Sequence, residues 1–173
     1  MSEDHAVSEA ISLRPAKSGD EDFLLRVFSS TREREHLAAE WTEESWSSFI
    51  GTQSDAQRSH YRSIYPDSED RIILCGNRPV GRMWVSRAHD QIRFLDIDIL
   101  PAQRGRGIGT HVIRGLQEEA RRSGLPLRHS VELENPRARS LYERLGFVEI
   151  ETRGLHTLME WRPSDAPRVA RES

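Results

Sequence analysis

The sequence predicts a mixed α/β (α+β) domain on a mostly antiparallel central sheet of about six to seven strands, flanked by helices. Three observations lead there. Apolar alternation and turn residues give the order strand, helices, three strands, helix, strand, helix, two strands. The three middle strands are joined by short turns at Gly76-Asn77 and His89-Asp90, which makes an antiparallel meander. The regular strand–helix alternation of a doubly wound nucleotide fold is missing.

The elements follow in order. "ISLRPA", Ile11 to Ala16, reads as a short strand closed by Pro15. Ser18 is a candidate cap for a helix carrying Phe23, Leu24, Val27 and Phe28 at helical spacing. A polar stretch runs from Thr31 to Ser68, with Trp41, Trp46, Phe49 and Ile50, then Tyr61, Ile64 and Tyr65, as its apolar landmarks. Thr42 ahead of Glu43 and Glu44 marks a helix start. One or two helices, bent or broken near Gly51, are expected here. "RIILCG", "RPVGRMWVSR" and "QIRFLDIDIL" form the meander.

A helix from about Gly107 to Arg122 puts Ile108, Val112, Ile113, Leu116 and Ala120 on one face, and Ser123-Gly124 stops it. "LPLRHSVEL" is the next strand. Asn135 caps a helix whose first turn holds Pro136 and whose end is Gly146, with Ala138, Leu141, Tyr142 and Leu145 on one face. "FVEIE" and "HTLMEW" are the last strands. A single domain over 11–162 is expected, with flexible tails at 1–10 and 163–173.

Composition narrows the function. The 173 residues suffice for one domain with a real core. A net charge of −3 does not call for nucleic acid as a partner. Lys17 is the only lysine, and the other basic residues are arginines. Cys75 is the only cysteine, so no disulfide can form within the chain, and no metal is expected. No apolar run reaches the roughly 18 residues of a membrane span, and "MSEDHAVSEA" does not read as a signal peptide. A cytoplasmic setting is the expectation.

The densest chemical signal is "PAQRGRGIGTH". Gly105, Gly107 and Gly109 let an anion approach the backbone with no Cβ in the way. They open a helix, whose first N–H groups are unpaired and carry partial positive charge. Arg104 and Arg106 add charge at the rim, Ile108 starts the buried face, and Thr110 adds a hydroxyl. A Walker loop would need Gly-Lys, which is absent. A dinucleotide fingerprint from Gly105 would need glycine where Thr110 stands, and a parallel unit where the meander lies.

The pattern Arg-x-x-Gly-x-Gly from Arg104 to Gly109 resembles the acyl-CoA pyrophosphate loop of the GNAT superfamily of N-acetyltransferases. "NPRARSLYERLGF", Asn135 to Phe147, resembles the family's second block, Asn-x-x-Ala…Tyr-x-x-x-Gly-Phe. The resemblance is good over about residues 71–162; between 31 and 68 it holds only in kind, where the family shapes its acceptor pocket.

The resemblance implies transfer of an acetyl group from acetyl-CoA to the amine of a small-molecule or peptide acceptor. It implies a backbone N–H near Ile99–Leu100 for the oxyanion and Tyr142 as the acid for the leaving thiolate. Asn135 falls near the pantetheine arm, though it also reads as a plain helix cap. Asp96 is the preferred base, with Asp98, Glu132 and Glu134 as alternatives. Asp96 and Asp98 stand two apart on one strand face, where either could instead be solvated or paired with Arg82, Arg87 or Arg93. A homodimer is the family habit. A non-catalytic acyl-CoA sensor on the same fold is the competing expectation.

Overall fold

The computed structural model describes residues 10–164, so most of both expected tails lies outside the described residues. The strands are β1 (Ile11–Pro15), β2 (Glu69–Cys75), β3 (Arg78–Arg87), β4 (Ile92–Ile99), β5 (Leu127–Glu132), β6 (Val148–Arg153) and β7 (His156–Trp161). The helices are α1 (Glu21–Ser30), α2 (Glu33–Ala38), α3 (Glu43–Ile64), α4 (Ile108–Ser123) and α5 (Pro136–Arg144). All seven strands belong to one sheet, ordered β1-β2-β3-β4-β5-β7-β6. The expected mixed, mostly antiparallel architecture is therefore present.

Pairing follows from connection length. β1 runs antiparallel to β2 from Ile11–Cys75 to Pro15–Arg71. Gly76, at φ +59°, turns the chain between β2 and β3. β5 is parallel to β4, at Ile92–Leu127 and Arg93–Arg128, because α4 supplies the crossover that a parallel pair needs. β7 then inserts between β5 and β6, antiparallel to both.

By contacts the chain forms two compact units, residues 10–83 with 97–108 and residues 84–96 with 109–164. In the first, Phe23, Leu24 and Val27 of α1 pack on Ile72, with Ala16, Leu74 and Leu100 around them. Arg82 is 1% exposed and forks onto Asp70 at 2.7 and 2.9 Å, which gives the buried guanidinium its counter-charge. In the second unit, α4 buries Ile108, Val112, Ile113, Leu116 and Ala120, the face its spacing predicts (Ile108 itself closes the first unit).

Two local expectations change. The residue ahead of α1 is Asp20, not Ser18, and its side chain makes no capping hydrogen bond to the helix: Ser18–Asp20 form a 3-10 turn, and α1 begins at Glu21. Asp20 accepts both arms of Arg14, at 2.6 and 2.7 Å, and the Lys17 N–H at 2.8 Å. Second, α3 runs through Gly51 unbroken. Thr42 caps it, accepting the Ser45 N–H at 3.1 Å, and burial of Ile50 and Ser54 anchors the turns beside the glycine. That burial outweighs the roughly 1 kcal/mol a lone helical glycine costs.

The Arg14 fork holds the Asp20 carboxyl at about 2, below its ordinary 3.8. The folded state therefore prefers the ionised form, and the stability it contributes is present above the ordinary value and lost as pH falls from there towards about 2. Asp20→Asn should lower the urea midpoint at near-neutral pH, and the gap from wild type should close across that acid window. A gap that stays constant with pH would assign the loss to packing instead.

Candidate active site

The exit of β4 is fixed by its own backbone. The Leu100 N–H donates to Val80 O at 2.9 Å, holding the strand end to β3. A Cβ placed on Gly81 would lie 2.4 Å from the Asp98 carbonyl oxygen and 2.9 Å from Ile99 Cδ1. Only glycine permits this approach of β3 to β4. A 3-10 turn, Pro101–Gln103, follows, then the glycine segment.

Gly105 and Gly107 have φ of +74° and +77°, a region that other residues enter only with strain. They bend the chain so that α4 starts at Ile108. Gly109 is different. Its φ is not positive, it lies in the helix, and a Cβ there would meet nothing within 4 Å. Neither conformation nor packing within the protein calls for glycine at this position. The loop thus presents bare backbone ahead of helix N–H groups.

The two loop arginines are exposed and turn partly to their own loop. Arg104 Nε donates to Ile99 O at 2.8 Å, and its Nη2 reaches Ser30 O at 3.5 Å. Arg106 Nη1 reaches Gln103 Oε1 at 3.3 Å. Arg104 therefore ties off the last carbonyl of β4 as well as adding positive charge.

Tyr142 sits on the buried face of α5, in the second unit, 8% exposed. Its ring centroid is 5.0 Å from His129, 5.7 Å from Phe147 and 5.8 Å from Phe94. Along β4, Ile92, Phe94 and Asp96 share one face, so Asp96 follows directly after the strand's aromatic contact with Tyr142. Asp96 and Asp98 are half-buried, whereas Glu132 and Glu134 are exposed. Asn135 Oδ1 accepts the Ala138 N–H at 3.1 Å, so its side chain caps α5. Of the arginines near these carboxylates in sequence, Arg87 forks onto Glu119 and Arg93 donates to Ser130 Oγ at 2.6 Å.

In the first unit an aromatic cluster joins α2 to α3. Trp46 lies 4.5 Å from His36 and 5.3 Å from Trp41, and Trp41 lies 5.0 Å from Phe49, centroid to centroid. Trp46 Nε1 donates to Ser29 Oγ at 3.2 Å, linking α3 to α1. Trp84 is a core residue.

The family model described as the Acetyltransferase (GNAT) family matches residues 33–147. The chain belongs to the GNAT acetyltransferase family. Its fold is shared by PaiA N-acetyltransferase from Thermoplasma acidophilum, solved in complex with coenzyme A. That pair is 19% identical over 89% of this chain and 99% of the other, with a TM-score of 0.66. An acetyltransferase from Thermus thermophilus matches at 20% identity over 90% and 99% of the two chains, with a TM-score of 0.65. The N-acetyltransferase PseH from Campylobacter jejuni matches at 13% identity over 89% and 99%, with a TM-score of 0.58. Among the described residues of this GNAT chain, no helix is long and apolar enough to cross a membrane.

Sequence reasoning missed two residues of this region. Gly81 gives no local signal, since its need arises from β4. His129 did give one: it alternates with Leu127 and Val131, which places an imidazole on an apolar strand face. Gly81→Ala should displace β4 at Asp98–Ile99 and cost about 1–3 kcal/mol of stability, as overpacking does. Urea unfolding measures it; an unchanged midpoint would mean that the two strands separate freely.

Proposed function

We propose that this GNAT chain is an N-acetyltransferase that moves an acetyl group from acetyl-CoA to the amine of a small-molecule or peptide acceptor. The observation that carries this is Gly109, bare in the first turn of α4 with no internal reason to be glycine, beside two glycines in left-handed conformation. A pyrophosphate on the amides of Gly105, Arg106, Gly107, Ile108, Gly109 and Thr110 supplies that reason, with Arg104 and Arg106 at its rim. The coenzyme A bound by the Thermoplasma acidophilum protein supports the identity of the anion.

The chemistry follows from what a thioester and an amine require. A lysine-like amine, with a pKa of about 10.4, is almost wholly protonated near neutrality and must lose a proton before it attacks. Asp96 takes that proton, directly or through water. The amine nitrogen bonds to the thioester carbonyl carbon, and the negative charge moves to oxygen. Leu100 has already committed its N–H to Val80, so the donor to that oxyanion is the Ile99 N–H. Collapse breaks the C–S bond. Tyr142 gives its proton to the departing sulfur, and the second proton that the nitrogen sheds on becoming an amide restores the tyrosine through water. Asn135 keeps its capping role and stands beside the pantetheine arm.

Melting the protein with acetyl-CoA, and separately with ATP, tests the donor. Acetyl-CoA at about a hundred times its Kd should add about 2.7 kcal/mol, and ATP should add less. No shift with acetyl-CoA overturns the reading. Thiol release with a panel of amines then separates an enzyme from a binding-only sensor. Tyr142→Phe should lower turnover far more than acetyl-CoA affinity; unchanged turnover removes Tyr142 as the acid.

Gly109→Ala separates the loop's two roles. The apo protein should gain about 0.4–1 kcal/mol, because alanine restricts the unfolded chain and suits a helix. The stabilisation by acetyl-CoA should fall at the same time. A variant that binds acetyl-CoA as well as wild type would show that the ligand does not approach there.

A further inference from the structure

On β5 the buried positions are Leu127, His129 and Val131. An imidazole on such a face needs a partner, and His129 has one: Nδ1 lies 2.9 Å from the Phe94 carbonyl oxygen. A carbonyl only accepts, so Nδ1 carries the hydrogen and donates it, which leaves Nε2 unprotonated in the neutral ring. The ring lies flat on Phe94, centroids 4.2 Å apart with 7° between the planes. Tyr142 stands edge-on to the same imidazole at 65°. Burial pushes His129 down to about 4, against the opposing pull of the Phe94 carbonyl.

The place of that hydrogen bond matters. The Ile92 N–H donates to Pro126 O at 2.9 Å, and the β4–β5 ladder covers Ile92–Leu127 and Arg93–Arg128 among the described residues. A parallel ladder continued in this register would have Phe94 O accept the Ser130 N–H. The His129 side chain meets that carbonyl where the recorded pairing stops.

We propose that His129 is a positioning residue for Tyr142. Its imidazole ties off the Phe94 carbonyl at the end of the ladder, is held flat by the Phe94 ring, and fixes the surface against which the Tyr142 ring is oriented. The inference rests on Tyr142 as the acid for the leaving thiolate. His129 itself moves no proton: it is neutral across the working range and its one N–H is engaged.

The test reads Tyr142 through the sulfur of bound coenzyme A, without needing the acceptor. The thiol of CoA is titrated in the complex by thiolate absorbance and compared with free CoA. A hydroxyl donating to the anion holds the bound thiol below its free value, and Tyr142→Phe should raise it by about one unit. His129→Asn keeps a donor at the place of Nδ1 but loses the ring, and should titrate between wild type and His129→Gln. His129→Gln carries its amide one bond further out and should move the midpoint towards that of Tyr142→Phe. If His129→Gln titrates as wild type while Tyr142→Phe does not, His129 does not position the tyrosine, and the acid role of Tyr142 stands. If Tyr142→Phe titrates as wild type, the acid role fails and this inference fails with it. A second readout uses the unmutated protein: nitrogen-15 shifts of His129 should report the Nδ1–H tautomer at neutral and alkaline pH. The Nε2–H tautomer would overturn the proposal even if no variant folds.

Discussion

The hydrogen bond from Leu100 N–H to Val80 O is the constraint on which the loop geometry depends. It pins the residue just after β4 to β3 before the chain enters the glycine segment. Arg104 then reaches back to the Ile99 carbonyl, so the first bend is closed from both sides. With the strand end fixed, two left-handed glycines suffice to aim the first turn of α4. The close approach at Gly81 belongs to the same arrangement, because a side chain there would collide with the backbone that the Leu100 bond holds in place. The bare loop is therefore backed by a strand end held through its own backbone.

The second unit solves a different problem. Its aromatic group of Phe94, His129, Tyr142 and Phe147 brings two polar rings into an apolar setting. Burial of an imidazole is tolerated because one nitrogen is satisfied and the ring stays neutral. Ring contacts with Phe94, His129 and Phe147 give Tyr142 a narrow range of ring orientations.

Much of the fold was legible in the sequence because short-range physics decided it. The face of α4 follows from helical spacing, and Gly76, Asn135-Pro136 and Gly146 each act within a few residues. What was illegible depended on distant partners. Gly51 looked like a break, yet burial of Ile50 and Ser54 carries α3 through it. Ser18 looked like the cap, but it opens a 3-10 turn, and the carboxylate of Asp20 ahead of α1 is held by Arg14. The glycine loop was plain from its residue types, but the left-handed conformation of Gly105 and Gly107 is a further demand for glycine that those types did not state. Arg104 was read only as a charge at the rim, because nothing local says that its guanidinium also caps a strand. The insertion of β7 between β5 and β6 likewise rests on long-range pairing that no periodicity encodes.

Four ion pairs among the described residues share a chemical property. Arg14–Asp20, Arg82–Asp70, Arg87–Glu119 and Arg128–Glu160 all use guanidinium groups, and the chain has a single lysine, Lys17. A guanidinium keeps its charge delocalised over three nitrogens and so offers no lone pair to an electrophile. An ammonium in the same place would expose a small neutral fraction to any activated ester nearby, and acylation would erase its charge for good. Strands anchored with arginine are thereby inert towards activated esters.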